Sequence, residues 1–187
     1  MAHPRKLIRH AIVARLLGAT AAGSRVQATR VEPHRKTQLP AISVYTAGET
    51  ISIDADALTA PQILVRAAEV KIAAWVTGPT DPEGDVADAM DDIAEQIEAA
   101  MDADRYLGGL RDGLARDILL ESTEMAVRGA EGGDPLIGII TLTYRVTYDT
   151  SPAVGQLDDF RRVDARTQIA GASPGNAIED LVSLEAP

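Results

Sequence analysis

The chain has 187 residues, a formal net charge of −10 and a hydrophobic content of 45%, which together predict one globular domain with an extension and a sizeable core. Only 3% of the residues are aromatic, so the core must be aliphatic, and the stacking surfaces that bind single-stranded nucleic acid are not available. The sequence has no cysteine, which excludes disulfides and thiolate chemistry and favours the cytosol. No apolar run approaches the roughly 18 residues of a membrane span, and Arg15 interrupts the apolar run near the N-terminus. We therefore expect neither a membrane span nor a signal peptide.

Positive charge is concentrated in the first part of the chain. Residues 1–36 have a net charge of +7, whereas residues 37–187 have a net charge of −17. A basic block of this kind contacts either phosphate or an acidic neighbouring subunit, and in a chain that is acidic overall we favour the subunit. The acidic remainder favours solubility, with repulsion of DNA or contact with a basic partner as the alternative.

Helix and strand patterns alternate along the first half of the chain. Pro4 is suited to begin a helix that ends before Gly18, and residues 19–38 lack periodicity and predict a mobile basic loop. Residues 40–46 predict a first strand because β-branched and aromatic residues dominate there. A turn at 48–50 and a short edge piece at 51–56 are expected to follow. Alternating apolar side chains over 63–77 predict a long half-buried strand.

Trp75 falls on the polar face of that strand. It is either a contact for a partner or a side chain that packs under a helix or a loop.

Residues 85–103 predict the longest helix. Its apolar stripe consists of Val86, Met90, Ile93, Ile97 and Met101. Its other side is acidic and consists of Asp88, Asp91, Asp92, Glu95 and Glu98. A helix of this length can lie across a small sheet.

The second half of the chain predicts a hairpin and an extension. Residues 116–128 and 136–149 predict two antiparallel strands, and residues 151–187 predict a mostly irregular extension with one short helix at 176–184. The predicted fold class is α+β: a small mixed, mainly antiparallel sheet with helices packed on one side. Residues 1–150 form this domain, and residues 151–187 form the extension.

The residues do not suggest a catalytic or a metal site. The three histidines, at positions 3, 10 and 34, have no Asp partner at a telling spacing, and no G-x-S-x-G motif occurs. Asp81, Glu83, Asp85 and Asp88 are dense enough to attract a cation, but they lack the spacing and glycine of a calcium loop. Helix capping and a solvated face explain them better. We predict no catalytic residue, no metal ion and no cofactor.

Two short motifs, together with the order of the elements, resemble the tail terminator proteins of long-tailed phages, the minor tail protein U family. The motifs are the run LPAISVY at 39–45, followed by TAG at 46–48, and the run LTYRVTY at 142–148. The resemblance covers roughly residues 5–150. The strongly basic loop 19–38 and the extension 151–187 depart from the family pattern.

The resemblance implies a hexameric ring on the end of the tail tube, which stops tube polymerisation and presents a surface to the head–tail connector. The implied partners are copies of the chain itself, the tail tube protein and the connector protein, with DNA passing through the channel without specific binding. The implied location is the virion, after assembly in the host cytoplasm.

We expect the ring to be held together by opposite charges on neighbouring subunits. The basic side is Arg5, Lys6 and Arg9, and the acidic side is Asp88, Asp91, Asp92 and Glu95. Three alternatives stay open at the level of sequence. They are another neck or tail-tube component, a small carboxylate-dependent hydrolase using residues 81–88, and a DNA-binding protein acting through residues 1–36.

Overall fold

A computed structural model describes residues 2–28, 36–54, 63–78, 83–129, 136–151, 162–167 and 178–183. The chain divides into two compact units, Met1–Pro152 and Ala153–Pro187. In the described residues of the first unit, two α-helices accompany a five-stranded sheet. The predicted α+β fold class is confirmed.

The first unit alternates helices and strands. In chain order its elements are α1 (Pro4–Leu16), β1 (Val26–Gln27), a 3-10 helix (Lys36–Gln38), β2 (Ala41–Ile53), β3 (Leu64–Thr77), α2 (Glu83–Asp102), β4 (Asp117–Arg128) and β5 (Ile137–Thr150). The strand order is β1-β2-β3-β5-β4. Only the β1–β2 pair is parallel, so the sheet is mixed and mainly antiparallel, as predicted.

The core lies between one face of the sheet and the two helices. Alternate residues of the central strands β3 and β5 point to this face, because side chains alternate across a pleated strand. The buried members are Val70, Ile72, Ala74, Val76, Ile140, Leu142, Tyr144, Val146 and Tyr148. The helices cover them with Ile8, Ile12 and Leu16 of α1 and with Val86, Met90, Ile93, Ile97 and Met101 of α2. The predicted stripe of α2 is confirmed in full.

The two helices cover different parts of the sheet. Helix α1 packs on β1, β2 and α2, whereas α2 packs mainly on β3 and β5. Arg15 of α1 donates a hydrogen bond to Ala100 O of α2 at 3.1 Å and another to Asp104 Oδ2, just after α2, at 2.9 Å. The outermost strand β4 extends beyond this cover, so Met125 and Val127, which share the helix-facing side, are about half exposed.

Two predictions for the N-terminal half are wrong. The turn expected at 48–50 does not occur, because β2 continues to Ile53 and pairs with β3 over that whole length. A β-bulge between Thr46 and Gly48 takes up the extra residue. Strand β1 was missed within 19–38, since two residues are too few to show a periodic pattern.

The described residues of the second unit form one antiparallel strand pair, β6 (Arg162–Thr167) with β7 (Ile178–Ser183). The helix predicted at 176–184 is therefore wrong over 178–183. The apolar positions 178, 181 and 182 fit a helical spacing, but short apolar segments do not distinguish a helix from a strand. Pairing with β6 decides the outcome for this segment.

Candidate subunit interface

The basic residues predicted at the interface lie on the first half of α1, beside the β2 bulge. His3 caps the helix, since its Nδ1 accepts a hydrogen bond from Arg5 N at 3.2 Å. An open cleft of about 480 Å³ lies between this end of the helix and the bulge. Its lining includes Arg5, Lys6 and Arg9. The three predicted basic residues thus share one surface.

Arg5 has a second role, within its own chain, that the sequence did not suggest. Its Nε lies 3.6 Å from Glu49 Oε1, and the Glu49 side chain is only 7% exposed. Glu49 Oε2 is 2.8 Å from Arg66 Nη1, and the Tyr148 hydroxyl donates a hydrogen bond to Glu49 Oε1. The contact connects the start of α1 to β2, β3 and β5.

Protonation of this charged cluster is set by its surroundings. Burial alone would raise the pKa of Glu49, but hydrogen bonds from Tyr148 and Arg66 and the charges of Arg5 and Arg66 hold it below its ordinary value of 4.5. Burial and the neighbouring Glu49 carboxylate raise the pKa of Tyr148. Glu49 therefore stays charged and Tyr148 stays a hydrogen-bond donor at neutral pH.

Unlike Arg5, Lys6 and Arg9 form no ion pair among the described residues of their own chain. Lys6 is exposed and takes part in no ion pair within the part of the chain that the structure describes. Arg9 is half-buried, and its Nε is buried without a hydrogen-bond partner among the residues that the structure describes.

The acidic residues predicted at the interface are all on the solvent side of α2. Asp88, Asp91, Asp92 and Glu95 are exposed. No ion pair among the described residues joins them to Arg5, Lys6 or Arg9. The side chain of Arg15 instead makes the polar contact between α1 and the end of α2, with Ala100 and Asp104. Both charged surfaces are thus available for another molecule.

Trp75 does not fit the prediction of a partner contact. It lies on the sheet face opposite the helices and is 7% exposed, with Ala41 and Ile139 as its cross-strand neighbours. A partner could reach little of its surface, so we remove it from the candidate interface.

The acidic run considered for a cation lies only partly within the described residues. Asp81 is outside them, and Glu83 and Asp85 are described only as part of α2. Among the described residues no group of three or more His, Cys, Asp or Glu side chains could hold a metal ion. Neither α1 nor α2 combines the length and the apolar character that crossing a membrane requires.

Sequence reasoning also missed a small surface cavity at the end of α2, which we call the notch. Its volume is about 140 Å³, and its lining includes Glu98, Asp102, Arg105, Leu119, Leu120 and Tyr144. The Tyr144 hydroxyl is buried, and among the described residues it has no hydrogen-bond partner. Tyr144 sits in a regular alternation of apolar residues, so the sequence indicated only a core position.

Comparison with known proteins adds little. No family model matches the sequence. No curated protein matches it either. Among solved structures, the chain is similar to a chain from the virion of a native gene transfer agent particle, at 17% identity and a TM-score of 0.43. The match covers 76% of this chain and 95% of that chain. A TM-score this low carries no weight for the assignment of function.

Proposed function

We propose that the chain is a structural protein of a phage-like virion and, more specifically, a tail terminator subunit. Copies assemble into a ring, expected to be a hexamer, on the end of the tail tube. The ring stops tube polymerisation and joins the tail to the head–tail connector protein. The proposal assigns no reaction, cofactor or metal to the chain.

The observation that carries the proposal is the position of opposite charges on two helices that lie over different halves of one sheet. The basic surface of α1 lies over the β1–β2 edge, and α2, which bears the acidic surface, lies over β3 and β5 towards the β4 edge. Two unlike surfaces on different parts of the subunit favour a head-to-tail contact between copies. Such a contact is heterologous, and it closes into a ring when the rotation between subunits permits it.

The resemblance at the level of sequence supports the finer part of the proposal. Its first motif, at 39–45, enters β2, and its second, at 142–148, lies within β5. Both strands flank β3, the central strand of the sheet. The two motifs therefore belong to one structural core, although they are about 100 residues apart in the sequence.

The net charge fits a channel for DNA. An acidic ring repels phosphate, so DNA would pass through without adhering. The location that follows from the proposal is the tail or neck of the virion, after assembly in the host cytoplasm.

The test of the function is polymerisation of the tail tube protein of the same particle, with and without this chain. We expect tubes of limited length that carry a ring at one end, as seen by negative-stain electron microscopy. Tubes that incorporate the chain along their whole length would identify a tube component instead. Unchanged growth without bound rings would refute a terminator role.

A charge swap tests whether the two surfaces meet. Reversing Asp88 and Asp92 to Lys should weaken ring formation, since both side chains are exposed and their replacement leaves the core intact. Reversing Lys6 and Arg9 to Glu in the same chain should restore part of it. Arg5 is left unchanged because its contact with Glu49 belongs to the subunit itself. Rings that are unaffected by the first change at moderate salt would show that another surface holds the subunits together.

A further inference from the structure

The notch at the end of α2 combines negative charge with an unsatisfied hydroxyl group. Its lining includes Glu98 and Asp102 of α2, Leu120 of β4 and Tyr144 of β5, which pairs with Leu120 in the sheet. Tyr144 is 4% exposed, and its hydroxyl has no hydrogen-bond partner in the part of the chain that the structure describes. A buried hydroxyl without a partner is unfavourable, so this group is suited to a ligand that completes it.

The chemistry of the notch selects a cationic donor group. Burial, with the charges of Glu98 and Asp102, raises the pKa of Tyr144, so its hydroxyl stays protonated at neutral pH. The hydroxyl belongs to the same notch as both carboxylates. An ammonium group has three N–H donors, and the notch offers three oxygen acceptors: the two carboxylates and the phenolic oxygen. Arg105 lies 3.2 Å from Asp102, but both side chains are largely exposed, so this pair is weak.

The notch ends an acidic stripe on α2. Asp91, Glu95, Glu98 and Asp102 are spaced by four, three and four residues, which places them along one flank of the helix. The α1 side of α2 is marked by Gln96, which accepts a hydrogen bond from Ala21 N at 2.7 Å, and by Ala100, which contacts Arg15. The acidic flank lies away from these contacts, because Glu98 and Asp102 meet β4 in the notch. A basic helix approaching the β4 edge would therefore meet negative charge along its length.

Lys6 of another copy matches the notch in charge and in its surroundings. Lys6 is exposed and has no ion pair among the described residues. Leu7 beside it is 41% exposed, and Leu120, which pairs with Tyr144 on the helix-facing side of the sheet, is partly exposed. Lys6 belongs to the helix over the β1–β2 edge, whereas the notch lies at the β4 edge, so a subunit does not fill its own notch.

We propose that the notch formed by Glu98, Asp102 and Tyr144 binds the ammonium group of Lys6 from the next copy of the chain. This inference rests on the proposed function and names the residues of the ring contact. It extends the predicted acidic surface to two further carboxylates and a tyrosine. Because the two surfaces differ, the contact repeats from copy to copy in one direction.

Disulfide trapping tests the contact, because the natural chain has no cysteine. The full-length variants Lys6→Cys and Asp102→Cys are oxidised separately and as an equimolar mixture. We expect the mixture to form the mixed disulfide between positions 6 and 102 at least tenfold faster than either variant forms its own dimer. As a matched control, Glu124→Cys replaces Asp102→Cys, since Glu124 is exposed on β4 but pairs with Thr141 on the opposite sheet face. Equal rates with Asp102→Cys and Glu124→Cys would overturn the proposal.

Tyr144→Phe distinguishes a binding role from a structural one. It removes only the hydroxyl group, which has no partner among the described residues of the subunit, so the stability of the monomer should be unchanged or slightly higher. In the otherwise natural chain, Tyr144→Phe should weaken assembly several-fold, as measured by sedimentation, and it should have no further effect in a chain that also carries Lys6→Met. No loss in the natural chain, or an equal loss with and without Lys6→Met, would show that the hydroxyl does not receive the lysine.

The contact and the ring can fail separately. Trapped head-to-tail chains that never close into rings would refute the proposed ring and support the contact. Closed rings without the mixed disulfide would support the ring and refute the contact.

Discussion

Glu49 is the most informative position for the internal energetics of the fold. Its carboxylate is 7% exposed and connects Arg66, Tyr148 and Arg5. Glu49→Gln keeps the shape of the side chain but leaves Arg66, with 18% of its side chain exposed, without its counter-charge. Breaking a buried ion pair in this way costs about 3–5 kcal/mol, and the partial exposure of Arg66 favours the lower end.

The same substitution should change the dependence of stability on pH. The pKa of Glu49 is lower in the folded chain than its ordinary value of 4.5. Its contribution is therefore fully present above about pH 4.5 and is lost as the pH falls through the folded pKa. The difference in stability between the natural chain and Glu49→Gln should accordingly be largest at neutral pH and should shrink under acid conditions.

Urea unfolding of the full chain measures both effects, with the single, buried Trp75 as the fluorescent probe. The matched control is Glu69→Gln, because Glu69 pairs with Lys71 at 3.3 Å but is 44% exposed. That pair should contribute about 0–1 kcal/mol. A loss for Glu49→Gln no larger than for Glu69→Gln, or one that is independent of pH, would refute the reasoning.

Three further substitutions test the packing and the turn after α2. Ile93→Ala should cost about 2–4 kcal/mol in urea unfolding, as a large-to-small change at a fully buried site does; a loss below about 0.5 kcal/mol would place Ile93 outside the core. Gly138→Ala should lower the thermal midpoint, because the added methyl carbon would lie 2.8 Å from Met90 Cγ; an unchanged midpoint would mean that α2 shifts without cost. Asp104→Ala should also lower it, since Asp104 accepts backbone hydrogen bonds from the turn and pairs with Arg15, and an unchanged midpoint would contradict this.

The sequence predicted those elements whose periodicity extends over many residues. The stripe from Val86 to Met101 and the alternation in β3 and β5 are long enough to define both the element and its buried face. The predictions failed where pairing with a distant segment decides the structure. Gly48 continues a strand because β3 lies beside it, and 178–183 form a strand because β6 does.

The same difference between local and distant sequence information applies to the candidate interface. The charged residues of α1 and of α2 lie close together in the sequence. Lys6, Arg9 and the acidic residues could therefore be predicted as interface residues from the sequence alone. The contact of Arg5 with Glu49 and the unsatisfied hydroxyl of Tyr144 depend on residues that are distant along the chain. Only the folded chain brings these groups together. Trp75 could not be assigned because the sequence does not show that both faces of β3 are buried at its end.

In the proposed assembly, opposite charges on α1 and α2, which lie over different halves of one sheet, join copies head to tail into a closed ring. Native mass spectrometry of the purified chain, alone and titrated with tail tube protein, tests it most directly. We expect a single closed oligomer of about six copies, which forms either in the free protein or once tube protein is added. A chain that stays monomeric under both conditions, or that forms an open series of oligomers without a preferred size, would contradict it.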